Sequence, residues 1–246
     1  MLFSSRRRSL VLAAIATAGA PLLAYASNRS HSAIQQELAK LEASARGRLG
    51  LSAINTANGM RVQYRADERF PVCSTFKAIA VAAILKKSMS DHGLLQQRVS
   101  YSKEETEKSG YAPITAKYIA KGMTIAELCA ATLQYSDNAA ANFLMKELGG
   151  PAAVTAYART IGDNTFQLDR WEPELNTAIP GDLRDTSTPA AMESSLHKLA
   201  LGDALALSQR EQFVAWLKGN TTGGKRMLAS VPKGWIVGDK TGTGSY

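Results

Sequence analysis

Apolar positions recur along this chain with two different periods. Ile34, Leu38, Leu41 and Ala45 return every three or four residues after Ser30 and Ser32, which predicts an amphipathic first helix. Two strand-like runs follow, Leu49 to Ala57 and Met60 to Tyr64, and Asn58-Gly59 between them predicts a two-residue hairpin turn. Ala78 to Leu85 is wholly apolar and predicts a helix starting just after Ser74. Further helices are expected over about Ile125–Leu133, Asp137–Leu148 and Pro151–Ile161, with Gly149-Gly150 stopping one and Pro151 starting the next. From about Thr165 to Asp185 the periodicity is lost, and Pro173 and Pro180 interrupt the run. A stretch that long without a regular pattern marks a functional loop. Helices at about Pro189–Leu201 and Ser208–Lys218 then precede a strand at Trp235–Asp239. Strands toward both ends and helices between them predict an α+β protein, with an antiparallel sheet built from the chain termini and packed with helices beside an all-α lobe. Repeats and low-complexity linkers are not evident.

Composition narrows the class. At 246 residues the chain can bury a sizeable core without a disulfide scaffold. Its formal charge is +8, but Arg6, Arg7 and Arg8 account for three of those charges and stand in a leader-like segment, leaving +5. That mild excess predicts a solvated surface, and without a dense basic cluster interleaved with aromatics it does not indicate nucleic acid. Arg6 to Arg8, the apolar stretch Leu10 to Leu23 and Ala24-Tyr25-Ala26 together predict a signal peptide over residues 1–26, with a single mature domain over 27–246. Ser5-Arg6-Arg7-Arg8-Ser9-Leu10 suits twin-arginine export, and an ordinary Sec leader suits it equally. The expected location is the periplasm, with no stable membrane insertion. Two cysteines, Cys73 and Cys129, and three scattered histidines, His31, His92 and His197, offer no metal-ligand spacing.

The candidate chemistry lies in four short motifs in a fixed order: Ser74-Thr75-Phe76-Lys77, Ser136-Asp137-Asn138, Glu172-Pro173-Glu174-Leu175-Asn176 and Lys240-Thr241-Gly242. Ser-x-x-Lys alone is uninformative, since it also starts at Ser100, Ser195 and Ser230. The ordered set is informative. Ser74 sits where a loop meets a helix, whose first N–H groups and partial positive charge suit an oxyanion. Lys77, one turn on, shares its face and can reach the hydroxyl; partly desolvated and near other cations, it can act as a base. Asp137 or Ser136 suits a helix N-cap. Glu172 and Asn176, four apart, can face one another and hold a water between them.

This set, with Arg170-Trp171-Glu172-Pro173-Glu174-Leu175-Asn176 and Arg184-Asp185-Thr186, resembles the class A serine β-lactamases from about Ser27 to Tyr246. The resemblance implies hydrolysis of β-lactams through a Ser74 acyl-enzyme, with the active site in the cleft against the all-α lobe. Lys77 or Glu172 would take the proton on acylation, Ser136 would pass a proton to the lactam nitrogen, and Glu172 would activate the deacylating water. Asn138 would bind the substrate's acylamino group. Lys240, Thr241 and Thr243, with Arg226, would bind its carboxylate, while Gly242 allows close backbone approach. The N–H groups of Ser74 and Thr243 would form an oxyanion hole, and Tyr111 would line the cleft mouth. Arg170 and Asp185 would pin the loop's ends, and a cis bond is expected at Glu172–Pro173. Asp137 is expected to be structural.

The resemblance also implies no cofactor, no metal and a monomer. In the family the chain continues with two more strands and a closing helix, so a longer protein is expected. Many relatives bridge a cysteine at the Cys129 position to one early in the nucleophile helix, and another subgroup pairs the residue before the nucleophile with one just after Lys-Thr-Gly. Ala80-Val81-Ala82 and Thr243-Gly244-Ser245 supply neither partner, so two free thiols are expected. The alternatives are a penicillin-binding D,D-peptidase and a β-lactam sensor that stays acylated. Glu172 with Asn176 argues against the peptidase, which lacks the deacylating carboxylate; sensors of this kind are usually joined to a membrane segment, and none is expected after the leader.

Overall fold

A computed structural model describes residues 32–245. The expected signal peptide lies outside the described residues. The chain divides at Arg65 into two compact units.

In the first unit, helix α1 spans 32–45. Its Ile34 and Leu38 are half-buried as the spacing requires, but Leu41 is exposed, and Glu42 takes the next inward position. Glu42 accepts hydrogen bonds from Leu49 N at 2.9 Å, from Tyr64 Oη at 2.9 Å and from Arg65 Nε at 2.7 Å. Those contacts, the Arg65 bond foremost, hold its carboxyl down at about 2. Strands β1 (Leu51–Ile54) and β2 (Arg61–Tyr64) form the expected hairpin, in register Leu51↔Tyr64 to Ile54↔Arg61. The turn is longer than Asn58-Gly59 alone predicts. Asn55 N donates to Met60 O, and Asn58 N and Gly59 N both donate to Asn55 O, so the chain makes a helical turn before Gly59 reverses it at φ +72°.

The second unit is built around α2 (Phe76–Ser88), eleven of whose thirteen residues are buried. With no polar face it must be an interior helix, and α4 (Ile125–Gln134), α5 (Asn138–Leu148), α6 (Pro151–Thr160), α7 (Pro189–Ala200) and α8 (Leu207–Lys218) pack around it. Burial of side chains such as Ile79, Ile84 and Leu85 contributes roughly 1.5–3 kcal/mol each. These helices match the sequence expectation to within a few residues. The short helix α3 (Lys103–Lys108) was not expected, yet its N-terminus is a capping box of Ser102 and Glu105, the same device that Thr124 and Glu127 supply to α4. A last short helix, α9, covers Met227–Ser230.

The remaining strands are pairs of dipeptides: β3 (Phe70–Pro71) with β6 (Thr186–Ser187), and β4 (Arg98–Val99) with β5 (Met123–Thr124), all antiparallel. The fold class is α+β, rich in helix with small antiparallel sheets. One element departs from expectation. Trp235 to Asp239 forms no strand among the described residues, and Trp235 and Ile236 are exposed. A short apolar run makes a strand only where a neighbouring segment pairs with its N–H and C=O groups. Cys73 and Cys129 are both buried free thiols.

Candidate active site

The four motifs, far apart in sequence, meet around one side chain, Lys77. Ser74 lies in a 3₁₀ turn, Cys73–Thr75, that runs straight into α2. Cys73 holds φ at +41°, a region costly for a residue with a Cβ, so the turn entering the nucleophile is strained. Lys77 occupies the first turn of α2 and is fully buried. Its Nζ lies 2.9 Å from Ser74 Oγ, 2.9 Å from Glu172 Oε1, 2.9 Å from Ser136 O and 2.7 Å from Asn138 Oδ1. Burial pushes the Lys77 pKa down, while the Glu172 and Asp137 charges oppose that shift. An amine so surrounded is poised to exchange a proton with Ser74.

Ser136 and Asn138 flank Asp137 at the join of α4 and α5. Asp137 caps α5 by accepting from Ala140 N at 2.9 Å, and its other oxygen accepts from Ile114 N and Thr115 N. Its side chain is fully occupied and buried, as a structural residue requires. That cap forces Ser136 into φ +58° and turns its carbonyl onto Lys77. Ser136 Oγ lies 3.4 Å from Lys77 Nζ and accepts from Lys240 Nζ at 3.0 Å. With donors on its lone pairs, the hydroxyl must direct its own proton elsewhere. Asn138 Nδ2 donates to Ser109 O at 3.0 Å, and the Asn138 backbone N donates to Tyr111 O at 2.7 Å.

The segment expected to be a loop is one, containing the 3₁₀ turn Glu174–Asn176 and a single bridge from Thr177 to Ser245, and Glu172–Pro173 is cis. Arg170 Nε and Asp185 Oδ2 stand 2.5 Å apart, and Asp185 Oδ1 accepts from Asp169 N and Arg170 N. Asp185 O in turn accepts from Val72 N, tying the loop's end to the segment that carries the nucleophile. Glu172 is thereby driven inward and its side chain is fully buried. Its Oε1 faces Lys77 and lies 3.4 Å from Ser74 Oγ; its Oε2 accepts from Asn176 Nδ2. Asn176 Oδ1 is buried and meets no donor of the protein.

Sequence reading missed Asn142. Its amide grips the Glu172 backbone from both sides, accepting from Glu172 N and donating to Glu172 O, each at 3.0 Å. The available signal was its place one helical turn after Asn138, on the same face of α5. Thr222 and Ser109 were missed as well, and no sequence pattern marks them.

The fourth wall is the extended segment 240–243. Lys240 Nζ donates to Ser136 Oγ and to Thr241 O, and burial foremost, then the Lys77 charge, pushes its pKa down to about 7. Arg226 Nη2 donates to Thr243 Oγ1 at 3.0 Å. A Cβ on Gly242 would stand 3.2 Å from both Val72 O and Thr75 Cγ2, so this segment approaches the nucleophile's own backbone. A Cβ on Gly244 would come within 2.8 Å of Cys73 Sγ and 2.9 Å of Asn176 O, which explains glycine there. Ser74, Tyr111, Ser136, Asn138, Asn176, Arg226 and residues 241–243 line one open cleft of about 300 Å³, with the Tyr111 ring exposed at its mouth. Lys77 and Glu172 thus lie buried behind the cleft, Lys240 beside Ser136, and Arg170 and Asp185 at the base of the loop. Among the described residues no cluster of His, Cys, Asp or Glu is arranged to hold a metal ion.

Comparison with known proteins follows the same lines. Residues 33–245 match the model of the beta-lactamase enzyme family. A beta-lactamase of Citrobacter koseri is 55% identical over 249 residues, covering 100% of this chain and 84% of that protein. A carbapenem-hydrolyzing beta-lactamase, KPC, of Klebsiella oxytoca is 55% identical over 223 residues, covering 91% and 75%. Among solved structures, a beta-lactamase from Desulfarculus baarsii superimposes with a TM-score of 0.86 at 57% identity, covering 88% of this chain and 80% of that one.

Proposed function

The chain belongs to the beta-lactamase enzyme family and hydrolyses β-lactams as a class A serine enzyme, and from that premise we propose which of its residues carry each step. The observation that carries the proposal is that Lys77 Nζ stands 2.9 Å from both Ser74 Oγ and Glu172 Oε1.

Ser74 Oγ attacks the lactam carbonyl. Its proton has two acceptors within reach, Lys77 Nζ at 2.9 Å and Glu172 Oε1 at 3.4 Å. The developing oxyanion is received by the backbone N–H groups of Ser74 and Thr243, worth roughly 3–4 kcal/mol per donor. The Ser136 hydroxyl, its lone pairs directed at two amines, gives its proton to the lactam nitrogen as the C–N bond breaks and takes one from Lys77 Nζ in exchange. For deacylation, a water donates one hydrogen to Glu172 and the other to Asn176 Oδ1, which meets no protein donor. Glu172 takes the proton as the water oxygen attacks the ester, and a proton returns through Lys77 to Ser74 Oγ as the ester C–O bond breaks, while Asn142 holds the carboxylate's backbone in line. Asn138 binds the acylamino group, and Lys240, Thr241, Thr243 and Arg226 bind the carboxylate. Arg170 and Asp185 keep the loop closed. This reading extends to an exported, periplasmic protein, supported by the leader-like residues 1–26, and to a monomer.

The test is turnover of a chromogenic cephalosporin by the purified protein, with the mass of the acyl-enzyme followed in parallel. Fast turnover with a transient adduct supports the proposal. A lasting adduct without turnover would favour a sensor.

Lys240 gives the proposal a pH signature. Its charge is present below about 7 and lost above it, so affinity for an anionic substrate falls as pH rises through that value. The kcat/KM for a penicillin is expected to decline on that limb, and Lys240→Arg, always charged, is expected to move the limb upward. An unmoved limb would assign it to another group. The cysteines give a second check: two reactive thiols are expected under denaturing, non-reducing conditions, and none would show a Cys73–Cys129 bridge.

A further inference from the structure

Behind Thr241 stand two residues without a role so far, Thr222 and Asn220, and we infer that they control which way the Thr241 hydroxyl proton points. The inference rests on the proposed function, in which Thr241 binds the substrate carboxylate.

The protons can be counted. Thr222 N lies 2.9 Å from Asn220 Oδ1, and a backbone N–H can only donate, so the amide atom facing it is the oxygen. The same Oδ1 lies 2.8 Å from Thr222 Oγ1. A carbonyl oxygen only accepts, so the single proton of Thr222 is committed to Asn220. Thr222 Oγ1 also stands 2.6 Å from Thr241 Oγ1, and one proton must lie between them. Thr241 supplies it. In the ligand-free cleft Thr241 therefore turns its proton inward, along a chain from Thr241 to Thr222 to Asn220, and shows the substrate only lone pairs.

A carboxylate is acceptor-only and repels such an oxygen. To bind it, Thr241 must rotate its proton outward. The 2.6 Å contact then holds two oxygens with no proton between them unless Thr222 rotates as well, from Asn220 to Thr241. That exchange moves the protonless contact to Thr222 Oγ1 and Asn220 Oδ1, where the Thr222 N–H still donates to Asn220 and the wider 2.8 Å pair can part slightly. Two hydroxyl rotors turn, and only the Thr222–Asn220 contact relaxes. Thr222, half-buried on the cleft wall, is thus a reserve donor, and Asn220 fixes it in place. Both are positioning residues that act through Thr241.

The test compares a penicillin with its methyl ester, which lacks the anionic carboxylate, on wild type, Thr222→Val, Thr222→Ser and Asn220→Leu. Thr222→Val keeps the shape and removes the rotor. It is expected to lower the acid-to-ester ratio of kcat/KM by about tenfold, the scale of one hydrogen bond to a charged group, mostly through KM. Thr222→Ser is expected to restore the ratio to within about twofold of wild type, and Asn220→Leu, which frees the Thr222 proton for Thr241, to raise it. Thermal unfolding of each variant separates a loss of folding from a loss of recognition, and the serine variant keeps the comparison decisive if Asn220→Leu fails to fold. An unchanged ratio in Thr222→Val, or equal losses for acid and ester, would overturn the inference while leaving β-lactam hydrolysis standing. A wild-type protein that turned over no β-lactam would overturn both.

Discussion

Ser74→Ala is expected to abolish covalent labelling by a penicillin and to lower turnover to background, a loss on the order of 10⁶-fold if the nucleophile behaves as in other acyl-transfer enzymes. The fold should survive, because Lys77 keeps three other partners, Ser136 O, Asn138 Oδ1 and Glu172 Oε1. Circular dichroism should therefore be unchanged while the mass shift on incubation with benzylpenicillin disappears. The measurement is sharp because three other Ser-x-x-Lys serines stand in the same chain. None of them shares the setting of Ser74, a strained 3₁₀ turn feeding a buried helix with a lysine and a carboxylate inside hydrogen-bonding distance. A stable adduct forming on the mutant at any serine would sink the assignment.

Glu172→Ala should separate the two halves of the reaction. Acylation needs Ser74 and a base, and Lys77 remains. Deacylation needs a carboxylate to take a proton from water, and among the described residues Glu172 is the carboxylate that Asn176 bonds. The adduct is expected to accumulate on Ser74 while steady-state turnover falls by roughly 10²–10⁴-fold, the usual cost of removing a general base. The alanine also strips Lys77 of its buried counter-charge, so some destabilisation is expected; breaking such a pair typically costs about 3–5 kcal/mol. Glu172→Gln, which keeps the shape and a hydrogen-bonding oxygen, should trap the same adduct with less loss of stability. Turnover undiminished in both variants would make the carboxylate structural and assign the deacylating base to another group.

Much of the architecture was legible in the residues because it follows from local rules. The continuous apolar run from Ala78 to Leu85 can only be an interior helix here, and it is one. Asp137, Gly149-Gly150 and Pro151 set helix ends by cap chemistry and missing N–H groups, so the α5–α6 boundary fell where the sequence put it. The short strands were not legible, since two residues carry no period and β3 meets β6 across more than a hundred positions. The Asn58-Gly59 turn was read one step too tight, because the backbone bonds to Asn55 O are invisible in a dipeptide.

The site divides in the same way. The chemical inventory, a serine, two lysines, a second serine and a carboxylate with its amide partner, is written in four motifs whose order and spacing specify it. That Asp137 would be structural could also be read, since a capping carboxylate is spent on backbone N–H groups. What the motifs do not contain is how protons are held. The depressed affinity of Lys77 for its proton arises from burial by helices remote in sequence, and that of Lys240 from the same cause plus the charge of Lys77 across the cleft. Asn142 grips Glu172 only because α5 passes behind the loop, and Thr222 meets Thr241 only because the turn after α8 lies beneath the cleft wall. Residue types set the available donors and acceptors, whereas protonation and hydrogen-bond direction depend on distance and desolvation, and both come into being only when the chain has packed.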